Sequence, residues 1–551
     1  MGGFNLHVLG IRISSSEPYK PFRNGVLFAI LAFWLHDRTS VRPSWNAFGR
    51  WSAVVAATAA IASALVAIAY GNRAAGGSDA FGYVSQARLW ASGQLLWRDP
   101  YFELARTFGR AVAPLGYDLA RTPGAIVPTY PPGLPLAMAI ASRLGGEAAV
   151  YYVVPLLGGL AVWLTYVLGA RVAERRAAMI AAVLFAFSPI FLFQSVQPMS
   201  DVPAAALWLL AWVVALTPGR LPAFGAGMAA AGAVLIRPNL AVLAAVVLPV
   251  VAATRPRLAR ASLFVCGLAP ACAVIAMLNA VWYGSPLRAG YGSIASLYEW
   301  SNFAPNVRNY TRWLVDVLSP VVLVSLAAPL AARVKHGGAM YAFAAVVVLS
   351  YLFYGVFENW TYLRFLLPAI PLLFILLGAV LVSGIERMPL AVRGAAVFVV
   401  CLLCPSWYLV KAHALNVFDI GRAERRYAAV GEFIRDRLPP NAVVITVIQS
   451  GSVWLHGHRP TLRWDYLEPH RLEPAIDIVR AHGYAPYILL EHWEEESFRA
   501  RFGAASPIGQ VGWPPAIEYY GPSNVRVYSV DDRLRYLTGA RIMPMAVPIR
   551  P

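Results

Sequence analysis

Four short strings carry charge where an otherwise apolar chain turns: "GGSDAFG" with Asp79, "QPMSDVP" with Asp201, "LIRPN" with Arg237, and "FENWTYLRFLLPAIP" with Glu358 and Arg364. Two converging carboxylates can bind a divalent cation or take a proton from a hydroxyl, and an arginine fork holds a phosphate bidentately. Together these groups suit phosphate-ester chemistry. Each also has a structural use, since Asp79 and Asp201 could cap the helices that follow them and the arginines could snorkel to head groups. Tyr83, Tyr130 in "YPPGLP", Tyr291 and Glu358 are the candidate substrate contacts, and Asp79 with Asp201 are the candidate ligands of a divalent metal ion, the one cofactor considered. Tyr291 lies in a Gly-, Ser- and Tyr-rich stretch, residues 283–300, that reads either as a plain connection or as a flap ordering over substrate.

The elements that must position these residues are apolar. Of 551 residues, 58% are hydrophobic and 13% charged, which excludes an ordinary soluble multidomain protein and fits a helical chain crossing a membrane many times. The net charge of +18 is almost all arginine, with lysine only at positions 20, 335 and 411, and its distribution is topological, so no nucleic-acid partner is expected. Cys401 and Cys404 lie in an apolar run, where thiols are inert packing.

Eleven stretches read as spans: 52–70, 148–170, 177–197, 202–217, 223–236, 239–254, 261–282, 313–332, 339–357, 365–384 and 392–411. Alternate connections are basic, beginning with Arg38, Arg42 and Arg50, then Arg171, Arg175 and Arg176, then Arg220, then Arg255, Arg257 and Arg260, then Arg333 and Lys335, then Arg387 and Arg393. Because cytoplasmic loops collect arginine and lysine, this alternation puts the N-terminus inside and everything after residue 412 outside. Residues 26–35 and 134–142 are half a span long and read as interfacial or re-entrant helices.

Three regions follow. Residues 1–50 form a cytoplasmic segment with an interfacial helix, 51–412 the membrane domain with a first outer loop at 71–147, and 413–551 a small extracytoplasmic α/β domain. The helix after Asp79, with Tyr83, Ala87, Trp90 and Trp97 on one side, is expected to be embedded at the interface. In the tail, "RRYAAVGEFIRDRL" reads as an amphipathic helix, and "AVVITVI", "APYILLEHW" and "NVRVYSV" read as strands. Asp316 is the one clear ionisable residue inside a span. A coupled transporter would place charges or broken helices near the midplane, whereas here the charges gather at the outer edge.

In order, the strings "SDAFGYVSQARLWASGQL", "YPPGLPLAMAIASRLGG", "MSDVPAAA", "IRPNLAVLA" and "YLRFLLPAIPLL" resemble the membrane-embedded GT-C glycosyltransferases, in particular the bacterial protein O-mannosyltransferase and aminoarabinose-transferase-like group. The resemblance covers about residues 50–412. It implies an enzyme of the bacterial inner membrane that transfers a sugar with inversion from a polyprenyl-phosphate donor to a glycan, lipid or protein acceptor outside. It also implies Asp79 as general base, Asp201 as a second catalytic, metal or acceptor-positioning acid, and Arg364 and Arg237 as ligands of the donor phosphate. Many relatives carry two adjacent acids where this chain has Asp79 and Ala80, which leaves the metal and the acceptor open, with Glu103 and Asp118 as substitutes. The rival readings are a lipid flippase or exporter, and a non-catalytic component of an envelope-glycan assembly complex.

Overall fold

A computed structural model of the chain describes residues 4–8, 11–15, 45–292, 297–521 and 523–548. The half-span expected at 26–35, with Arg38 and Arg42, lies outside the described residues. Near the N-terminus, β1 (Phe4–Val8) and β2 (Ile11–Ser15) form an antiparallel pair that the sequence did not announce.

The bundle opens with α1 (Trp45–Ala69). After α2 (Asp79–Ala91) and α3 (Gly133–Gly145) come α4 (Val153–Val172), α5 (Arg175–Phe187) and α6 (Pro189–Ser195). Next are α7 (Asp201–Ala215), α8 (Arg220–Ile236), α9 (Ala244–Val251) and α10 (Arg257–Tyr283). The set closes with α11 (Phe303–Leu318), α12 (Gly337–Leu352), α13 (Ile370–Ile385) and α14 (Leu390–Ala414).

Among the described residues four helices are long and apolar enough to cross a membrane, namely α1, α4 with the turn before it, α10 and α14. Three more segments qualify only as bent pairs: α5 with α6 at 58°, Trp300–Leu318 with Pro320–Ala331 at 104°, and Trp360–Leu366 with α13 at 82°. Each bend falls at a proline, Pro189, Pro320 or Pro368, which removes a backbone donor; Ser188 and Ser319 leave the helical region before theirs, whereas Leu367 keeps helical angles before Pro368. The continuous span expected at 313–332 is therefore broken, with Ser319 at φ 62° turning the chain. The remaining expected spans coincide with shorter apolar helices, α7, α8, Pro238–Val251 and α12. The fifteen residues of α7 reach only about 22 Å, short of a hydrocarbon core of about 30 Å, and nearly all of them are buried among neighbouring helices.

Small residues set the packing. A Cβ on Gly227 of α8 would stand 2.1 Å from the Phe264 carbonyl oxygen of α10, so the two backbones touch where glycine allows it. Arg260 is fully buried and donates to the carbonyls of Ala215, Thr217, Gly219 and Val251, so its charge sits among the free acceptors that end α7 and α9.

The first loop and the tail build one roof. The loop adds a three-stranded sheet of β3 (Trp97–Arg98), β4 (Tyr117–Leu119) and β5 (Ala125–Pro128), in the order β3-β5-β4. The tail opens with α15 (Ile420–Arg437) and then forms a six-stranded sheet. Its strands are β6 (Ala442–Ile445), β7 (Thr461–Leu462), β8 (Ala485–Glu491), β9 (Ile517–Tyr520), β10 (Val525–Ser529) and β11 (Met545–Pro548), in the order β11-β9-β10-β8-β6-β7. Strand β6 runs parallel to β7 and β8, while β10 runs antiparallel to β8. The amphipathic helix and the three strands expected in the tail are all present, at α15, β6, β8 and β10.

Trp454 stacks on Phe102 with centroids 5.1 Å apart and meets Trp97 edge-on at 5.2 Å. The Tyr101 hydroxyl donates to the Thr461 carbonyl at 3.0 Å, and the Arg463 amide to that of Ala111 at 2.7 Å. Helix α2 ends at Ala91, so Trp97 belongs to β3, and most residues of the helix are buried by protein, with Phe81 against Gly451 of the tail.

Candidate functional site

Asp79 and Asp201 open helices, each after a serine, and neither serine caps its helix through its side chain. Their side chains are used elsewhere. The Tyr130 hydroxyl donates to Asp79 Oδ1 at 2.7 Å, and Arg364 Nη2 donates to Asp79 Oδ2 at 2.9 Å. Since Tyr130 spends its proton on Asp79, the Ser78 hydroxyl, 2.8 Å away, donates to the Tyr130 oxygen.

Asp201 pairs with an arginine too, but as an ion pair without a hydrogen bond to either oxygen among the described residues. Its Oδ1 lies 2.8 Å from Arg237 Nη2, while Ser200 Oγ accepts from Tyr83 at 2.9 Å and from Arg237 Nε at 3.1 Å. Each Ser-Asp pair thus gives a serine to a tyrosine and a carboxylate to an arginine. The two halves meet at Phe365, whose ring centre lies 5.3 Å from the Arg364 guanidinium and 5.4 Å from that of Arg237. Tyr351 stacks on the same ring at 4.6 Å and accepts from Arg237 Nη1 and Asn239 Nδ2 at 3.0 and 2.8 Å.

The halves differ in access. The Asp79 side chain keeps 33% of its surface exposed, whereas Asp201 has none. Tyr83 and Tyr130 are buried against each other, ring centres 4.7 Å apart, and burial together with Asp79 pushes both phenols well above their ordinary range, so they remain donors. Tyr291 stands exposed at the edge, 5.7 Å from the Tyr130 ring. Gly82 makes room for this arrangement: a Cβ there would lie 2.0 Å from Tyr130 Cε2. Arg364 spends one donor on Asp79 and leaves its buried Nε without a hydrogen-bond partner among the described residues.

Asp79, Asp201, Arg237, Arg364, Tyr83, Tyr130 and Tyr291 therefore form one connected cluster. Glu358 does not join it; it is exposed one turn earlier and lines a separate cavity. Ser78, Ser200, Asn239, Tyr351 and Phe365 belong to the cluster without having been expected. Asn239 follows Arg237 by two positions and was legible in principle, whereas Tyr351 is one of two phenols in an apolar helix and gives no signal.

Among the described residues no three His, Cys, Asp or Glu side chains gather as metal ligands. The two expected carboxylate ligands each face a guanidinium, and the substitutes are engaged too, Glu103 with Arg106 and Asp118 with Arg110. Arginine supplies positive charge at both carboxylates, and neither buried Asp201 oxygen has a hydrogen-bond partner among the described residues.

The fold, an apolar bundle of straight and proline-broken helices with a small α/β domain closing over its first outer loop, has counterparts among solved structures. Two solved structures share it with this chain. One is ArnT from Cupriavidus metallidurans bound to undecaprenyl phosphate, at 13% identity over 86% of this chain and 97% of that one, with a TM-score of 0.53. The other is the archaeal oligosaccharyltransferase AglB from Archaeoglobus fulgidus in complex with an inhibitory peptide and a dolichol-phosphate, at 14% identity over 88% and 75%, with a TM-score of 0.50. At such identities the likeness is one of fold. No protein-family model and no curated protein matches the sequence.

Proposed function

We propose that this chain is a membrane glycosyltransferase that moves a sugar from a polyprenyl-phosphate donor to an acceptor hydroxyl or amine on the extracytoplasmic side, with inversion at the anomeric carbon. The observation that carries the reading is Asp79, partly exposed, held between the Tyr130 hydroxyl and Arg364, with the Arg364 Nε still unpartnered. In the step the acceptor heteroatom attacks the anomeric carbon, the bond from that carbon to the phosphate oxygen breaks, and the acceptor proton passes to Asp79. Polyprenyl phosphate leaves as an anion that needs little protonation, and Arg364 stabilises it. Asp201 and Arg237, buried as a pair, act as positioning residues: they fix Ser200, Tyr83 and Tyr351 behind the reacting groups.

A lipid-linked donor is the chemistry open to a transferase outside the cytoplasm, where nucleotide sugars are lacking. The polyprenyl phosphates in the two structures of the same fold support that choice. The alternation of basic connections supports an inner-membrane protein with about eleven spans, the N-terminus inside and the roof outside. Reporter fusions at positions 75, 200 and 450 test that topology, and a cytoplasmic signal at any of them contradicts it.

The deciding experiment supplies purified full-length protein with polyprenyl-phosphate sugar and a panel of acceptors, and measures released polyprenyl phosphate. Asp79→Asn is expected to lower turnover by about 10²- to 10⁴-fold while retaining donor. Equal turnover in the variant removes Asp79 as the base, and no release with any acceptor favours a carrier or an assembly component.

A further inference from the structure

A second site lies apart from the Asp79 cluster. A cavity of about 320 Å³ opens between α11, the turn that begins at Glu358 and the last turn of α14. Its walls carry Arg312 and Lys411, Asp316 and Glu358, and the indoles of Trp313 and Trp360. Among the described residues none of the four charged side chains makes an ion pair or a hydrogen bond, although Arg312 and Asp316 stand one turn apart on the same helix. Trp313 is 2% exposed, and its indole N–H has no partner either.

Two unpaired cations and two unpaired acids around one cavity fit a ligand with both signs of charge. An anion alone would leave Asp316 and Glu358 facing it, and a cation alone would do the same to Arg312 and Lys411. The site also continues onto an apolar surface. Leu403, Trp407 and Val410 of α14, at i, i+4 and i+7, are exposed at 60%, 42% and 69% and lead along the helix to Lys411. A soluble ligand would have no use for that stripe.

We propose that this cavity binds the head group of a zwitterionic phospholipid. The phosphate lies on Arg312 and Lys411, the ammonium lies on Asp316 and Glu358, and an acyl chain lies along Leu403, Trp407 and Val410. The volume falls in the range of small-molecule pockets, and the aromatic and basic lining at the end of an apolar helix is that of a membrane boundary. The site is independent of the transferase reading, because it needs only the membrane and not the reaction.

The test uses full-length protein in detergent with added phosphatidylethanolamine or phosphatidylglycerol, read by native mass spectrometry and by thermal shift. Phosphatidylethanolamine is expected to be retained about tenfold more tightly, equivalent to about 1.4 kcal/mol. Asp316→Asn with Glu358→Gln is expected to reverse the preference toward phosphatidylglycerol, and Arg312→Gln with Lys411→Gln to abolish retention of both. Arg312, Asp316 and Glu358 are exposed, so the substitutions leave no buried charge behind. Equal retention of the two lipids by the unaltered protein, or an unchanged preference in the Asp316/Glu358 variant, overturns the proposal. Competition by soluble glycerophosphoethanolamine as effective as that by the lipid also overturns it, in favour of a soluble ligand.

Discussion

Tyr130 and Asp79 stand 51 positions apart and share a hydrogen bond of 2.7 Å, which ties the turn before α3 to the first residue of α2. The phenol fixes one carboxylate oxygen while Arg364 fixes the other. Asp79 therefore points one way before any substrate arrives.

Tyr130→Phe removes one of the two groups that hold the Asp79 carboxylate in place. Turnover is expected to fall about tenfold, the size of one charge-assisted hydrogen bond, with little change in donor retention. Unchanged turnover separates Tyr130 from the reacting carboxylate.

Gly82→Ala is expected to act on the same bond from behind, because its Cβ would press on the Tyr130 ring. Its turnover should fall as that of Tyr130→Phe does. Gly384→Ala on α13, where nothing lies within 4 Å of the new methyl group, serves as the control and should match or slightly exceed the parent in thermal stability.

The two arginines should part company. Arg364→Gln is expected to weaken donor retention tenfold or more in a folded protein, since Asp79 is partly open to water. Arg237→Gln leaves Asp201 buried and unpaired, a loss of about 3–5 kcal/mol. Adding Asp201→Asn is expected to recover much of that stability without recovering full turnover, as measured by thermal unfolding beside product release.

The tail has a titration of its own. Burial pushes the Glu494 carboxyl, in α16 (Glu494–Phe502), up to about 7, although the Glu491 and Ile448 amides donate to it. Its folded value lies above the ordinary 4.5, so the domain keeps this contribution below pH 4.5 and loses it progressively as pH rises toward about 7. Glu494→Gln, which keeps one acceptor, is expected to flatten that slope and to raise stability at neutral pH by on the order of 1–3 kcal/mol. A Tm-against-pH series on the full-length parent and variant reads it.

Sequence alone indicated the charged turns, the apolar runs and the tail helix and strands, because each leaves a periodicity or a residue type that little else explains. It missed that Asp201 is sealed, since burial of an acid depends on Arg237 arriving from another helix. It also read 313–332 as one rod, although Pro320 stood there to be weighed: a proline in an apolar run bends or breaks depending on neighbours that a string of letters does not display. The partners of the first-loop aromatics were hidden for the same reason, as Gly451 under Phe81 and Trp454 beside Trp97 lie hundreds of positions later.

That separation has a consequence for how the molecule is made. Tyr101 and Thr461, joined at 3.0 Å, are 360 positions apart. At ribosomal speeds of about 5–20 residues per second, the first loop waits on the order of 20–70 s for the segment that covers it. During that interval its aromatic underside, with Phe81, Trp97 and Phe102, is bare to whatever chaperones or sticky neighbours the compartment holds.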